Sequence, residues 1–80
     1  MINEREESRE MTGYNATRKL HAMGFPEWLT IQTWKTDTPA EKQTYYYLHD
    51  TRIVKQDSVC RLTPEDCFQD AKQGIYPEPR

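Results

Sequence analysis

Long apolar runs are missing from this chain. The stretch from Trp28 to Trp34, seven residues, is as long as any uncharged run, and it mixes Thr and Gln with its apolar side chains. A bilayer-spanning helix needs roughly 20 apolar residues, so no membrane span is expected. Glycine is scarce as well, with three in 80 residues. That leaves no glycine-rich phosphate loop, and neither a nucleophile elbow nor an H-E-x-x-H motif occurs. Two cysteines, Cys60 and Cys67, stand at a C-x6-C spacing that fits neither a redox pair nor half a zinc site, so free thiols are expected. His21 and His49 do not sit at a short ligand-pair spacing with either thiol, so the sequence predicts no metal and no cofactor. Clustered positive charge is lacking too, and with it the footprint of a general polyanion binder.

What the chain does have is an uneven charge distribution around a net charge of −2. Residues 1 to 10 hold Glu4, Glu6, Glu7 and Glu10 against Arg5 and Arg9; residues 11 to 36 hold Arg18, Lys19 and Lys35 against Glu27. Residues 37 to 62 balance, and residues 63 to 80 hold four acids against Lys72 and Arg80. Both ends are acidic and the middle is neutral to mildly basic. The opening MINEREESRE carries charges where a signal peptide needs an apolar segment, so a cytoplasmic location is expected. Two Trp, five Tyr and two Phe give large packing surfaces that disordered chains usually lack. Eighty residues support one domain at most.

The expected organisation is a charged N-terminal tail over 1–12, a single α+β domain over 13–76 and a Pro-containing C-terminal tail over 77–80. Asn15 is a possible N-cap, Ala16, Leu20 and Met23 share a helical face, and Gly24 suits the C′ position, which together predict a helix near 16–23. Residues 28–36 and 43–49 are rich in β-branched and aromatic residues and should pair as an antiparallel hairpin across a polar connector. Arg52 to Lys55 and Ser58 to Leu62 suggest either one bent strand or two short ones, with Gln56-Asp57 making the break. Thr63-Pro64-Glu65-Asp66 places a capping hydroxyl, a proline and first-turn acids in the order a helix start requires, and Gly74 ends a helix over 64–73. Ile75 then stands where a Schellman contact would fold it back onto Cys67, Phe68 and Ala71. The fold expected is a short helix, a three-stranded antiparallel β-meander and a C-terminal helix packed on one sheet face. This element order is similar to that of double-stranded RNA-binding domains and, without the first helix, of small DNA-binding domains attached to some integrases. Glu65 and Asp66 occupy the place where the RNA binders carry basic residues.

Tyr45-Tyr46-Tyr47 is the feature that folding explains least. Alternation sends Tyr45, Tyr47 and His49 to one face and Thr44, Tyr46 and Leu48 to the other. One set can be core while the other covers a half-exposed sheet. The outer set, with Trp34 and Arg52, can instead form a recognition surface, because Tyr, Trp and Arg are enriched in interface hot spots. The expected function is a small non-enzymatic interaction module, regulatory or inhibitory, of the accessory kind that phages and mobile elements carry. Its expected partner is a protein, met through Trp34, Tyr45, Tyr47, His49 and Arg52. The alternative is a nucleic-acid-binding module using Tyr45, Tyr47, Trp34, Arg52, Lys55 and Arg61. Cys60 reads as a buried, inert thiol at a strand end, against the option of a thiolate activated by Arg61 with His49 as base.

Overall fold

The computed structural model describes residues 11–80. Helix α1 (Gly13–Ala22) is capped by Thr12, whose Oγ1 accepts from the Asn15 amide at 3.1 Å. The expected cap at Asn15 and start at 16 are therefore corrected. The reason is a close approach: a Cβ on Gly13 would lie 2.9 Å from the Ile31 carbonyl oxygen, so glycine lets the first turn lie against the next strand. Gly24, at φ 102°, terminates the helix as the sequence suggested. Strand β1 (Leu29–Asp37) and strand β2 (Lys42–Asp50) pair antiparallel in a register that sets Ile31 opposite Leu48 and Trp34 opposite Tyr45.

Helix α2 (Pro64–Lys72) begins at Thr63, whose Oγ1 accepts from the Asp66 amide. It closes with a full Schellman pair, Ile75 N–H to Asp70 C=O at 2.8 Å and Gly74 N–H to Ala71 C=O at 3.1 Å. The expected apolar fold-back of Ile75 is only backbone deep, since the side chain stays 41% exposed. Ala16 and Leu20 of α1, Leu29 and Ile31 of β1, Tyr46 and Leu48 of β2, and Cys67, Phe68 and Ala71 of α2 form the core. Every strand residue in that set belongs to one alternation class, so both helices cover the same face of the hairpin.

The α+β class stands, but the third strand of the meander is replaced. Strand β3 (Gln56–Asp57) pairs with β4 (Glu78–Pro79) in a separate small sheet, and the segment beside β2 touches it through a single bridge, Arg61 to Tyr46. Side chains fill the ladder positions that a strand would have filled. The Gln56 amide accepts from Asp50 N–H at 2.9 Å and donates to Asp50 C=O at 2.8 Å, and Ser58 Oγ donates to Leu48 C=O at 2.7 Å. The opposite edge, on β1, is treated alike near its start. Thr17 Oγ1 accepts from Ile31 N–H at 2.9 Å and donates to Ile31 C=O at 3.1 Å, while His21 Nε2 donates to Leu29 C=O at 2.9 Å.

Both expected tails need revision where the structure describes them. Residues 1–10 lie outside the described residues. Met11 packs against the core and its carbonyl accepts from the Tyr46 hydroxyl at 2.9 Å, so 11 and 12 belong to the domain. At the other end Pro77 is buried, β4 is paired, and the Arg80 amide donates to Lys55 C=O at 2.9 Å. No helix among the described residues is long and apolar enough to cross a membrane.

Candidate functional site

With α1 and α2 on one side of the hairpin, the other side carries no helix among the described residues, and the register decides what stands there. Thr30, Gln32 and Trp34 of β1 meet His49, Tyr47 and Tyr45 of β2, with no charged strand residue among them. Trp34 is 56% exposed and stacks on Tyr45 with ring centroids 5.7 Å apart and planes inclined by 28°. The Tyr45 hydroxyl donates to Glu41 Oε2 at 2.6 Å, which fixes the ring and holds the phenol above its ordinary pKa because the proton is shared with a carboxylate. Tyr47 and His49 are half-buried beside them. The segment from Val54 to Ser58 rises along this face and closes a shallow groove of about 490 Å³ lined by Trp34, Tyr47, His49, Lys55, Cys60 and Arg80, among others. Val54, 95% exposed, stands on its rim.

Four of the five residues expected to bind a partner are thus gathered on one surface, and Arg52 is not. Its guanidinium makes a two-pronged bond to Asp50, Nε to Oδ1 at 3.1 Å and a terminal nitrogen to Oδ2 at 3.0 Å, and lies 3.5 Å above the Trp28 ring. The Arg52 hydrogen bonds hold the buried Asp50 carboxyl below its ordinary range against the opposing effect of desolvation. Trp28 in turn meets Tyr76 edge-on at 6.1 Å. Arg52 therefore locks the base of the hairpin.

Arg61 is likewise withdrawn. It shares the inner face with Tyr46, and its guanidinium grips Asp70 of α2 at 2.9 and 3.0 Å. Of the three basic residues in the nucleic-acid alternative, only Lys55 stands on the groove with no anionic side chain bound to it. Arg61 also leaves Cys60 without the activating cation the sequence offered, since neighbours on an extended segment point to opposite sides. Cys60 is exposed, which corrects the expectation of a buried thiol; Cys67 is the buried one. Burial pushes the Cys67 thiol up to about 12, so it stays protonated and inert. Cys60 and His49 line the same groove with no hydrogen bond joining them.

Among the described residues, no three His, Cys, Asp or Glu side chains cluster as metal ligands. Val54 and the stacked orientation of Trp34 on Tyr45 were the features that sequence reading missed. Alternation could have placed Trp34 and Tyr45 on one face, but their direct opposition needed the register. Set against protein-family models, curated proteins and solved structures, the chain matches none.

Proposed function

We propose that this chain is a small non-enzymatic interaction module that binds a protein partner, in a regulatory or inhibitory role, through the outer face of its hairpin. The observation that carries this reading is the Trp34–Tyr45 stack, held rigid by Glu41 and left in solvent on a face free of strand charges. Large aromatic rings pre-set in one geometry lose little conformational entropy on binding, which is why such rings dominate interface energetics. A nucleic-acid partner draws less support, because Arg52 and Arg61 are engaged with Asp50 and Asp70.

The test is capture of partners by the tagged full-length chain from its native cell, with and without nuclease, beside the variants Trp34→Ala and Tyr45→Ala. Each substitution should weaken a protein interaction by about 2 kcal/mol, roughly thirtyfold, with little change in melting temperature. Nuclease-sensitive capture would transfer the reading to nucleic acid. Undiminished capture by the double variant would remove the outer face from the account.

A further inference from the structure

The strand edges are closed unevenly, and the open half of β1 has a distinctive chemistry. The Tyr46 amide and carbonyl bond Arg61, so the even-numbered residues of β2 point away from β1 and the odd-numbered ones pair with it. On β1 the backbone groups that point to the outer edge are therefore those of Leu29, Ile31, Thr33, Lys35 and Asp37. His21 and Thr17 occupy the first two. Among the described residues, the backbone groups of Thr33, Lys35 and Asp37 on that side meet no partner.

We infer that this open half of the β1 edge pairs with the same edge of a second copy of the chain, antiparallel and two-fold, with Lys35 of each copy opposite Asp37 of the other. A two-fold contact must match the strand to itself, and outward residues must meet outward residues, which leaves few registers. Setting Thr33 opposite Lys35 drives the second copy's Asp37 onto Ile31, which Thr17 already fills. Setting Lys35 opposite Lys35, or Asp37 opposite Asp37, puts like charges face to face. Setting Lys35 opposite Asp37 makes two opposite-charge cross-strand pairs, places Thr36 opposite Thr36, and ends at Pro39, which has no amide hydrogen to offer Thr33.

A lysine on an open edge ordinarily deters pairing. Here an acid two residues further on converts that deterrent into a choice of one register and one closed partner. The contact joins two hairpins into a four-stranded sheet and brings both Trp34–Tyr45 stacks to one side of it. It rests on four backbone bonds and two exposed ion pairs, so it is weak and sensitive to salt.

Sedimentation equilibrium of the full chain, from about 10 µM to 1 mM at low and high salt, measures it. A salt-weakened monomer–dimer equilibrium is expected. Lys35→Asp or Asp37→Lys alone should weaken it about tenfold or more, and the double exchange should restore it. Amide exchange of the unmodified chain offers a reading that no folding defect can obscure: the Lys35 and Asp37 amides should gain protection with concentration. A chain that stays monomeric throughout, or whose dimer ignores the single reversals, overturns the inference. These readouts do not involve the outer-face partner, so either reading can fail alone.

Discussion

Three consecutive tyrosines meet two different fates on the two faces of one hairpin. Tyr46, 1% exposed, is enclosed by the core beneath α1 and α2, while Tyr45 and Tyr47 stand half-exposed on the side that carries no helix among the described residues. Nothing in the residue type separates them; the helices do. The same division sorts the cysteines, Cys67 on the core-facing side of α2 and Cys60 on the open groove, and the arginine–carboxylate pair Arg61–Asp70, which closes the inner side. The inner face is thus a packed core, and the outer one a surface that no helix covers among the described residues.

The sharpest break in that comparison is the reactivity of its two thiols. In the native protein at neutral pH Cys60 should be alkylated promptly, whereas Cys67, buried and held to about 12, should react only when the molecule opens. Peptide mapping after timed labelling checks this, and equal labelling of both would mean that the Cys67 face of α2 does not pack against the core. Next comes stability: Tyr46→Ala should cost about 3–5 kcal/mol, while Tyr45→Ala and Tyr47→Ala should each cost less than about 1 kcal/mol by denaturant titration. Comparable losses at all three would erase the distinction between the faces. The smallest effect concerns acid. Arg52 keeps the folded Asp50 carboxyl below its ordinary value of 3.8, so the stabilisation is whole above that value and is lost as pH falls through the lower folded one. Melting temperature should therefore fall more steeply below about pH 4 in the native chain than in Asp50→Asn.

Much of the architecture was legible where the signal is local. Thr63-Pro64 opens α2 and Gly74 closes it because capping depends on residues within one turn, and the hairpin followed from β-branched and aromatic runs about a polar connector. Alternation showed that Tyr45 and Tyr47 travel together apart from Tyr46, but which set looks inward depends on where two distant helices settle. The third strand was illegible for a different reason. Gln56 and Ser58 satisfy β2 through side chains that carry no strand signature, and the partner of β3 is a Pro-containing pair more than 20 residues later, a composition that argues against a strand. Thr12 and Asn15 are both good capping residues, and the contact of Gly13 with Ile31 decided between them.

The two indoles are the same chromophore in unlike surroundings. Trp28 lies between the Arg52 guanidinium on its face and the Tyr76 ring at its edge, while Trp34 lies flat on Tyr45 with more than half its surface in water. Trp34 emission is therefore open to collisional quenchers and to any molecule that settles on the outer face, and Trp28 emission follows the integrity of the hairpin base. Replacing either indole by phenylalanine isolates the other signal, so the molecule carries separate optical reporters of its outer face and of its hairpin base without a label.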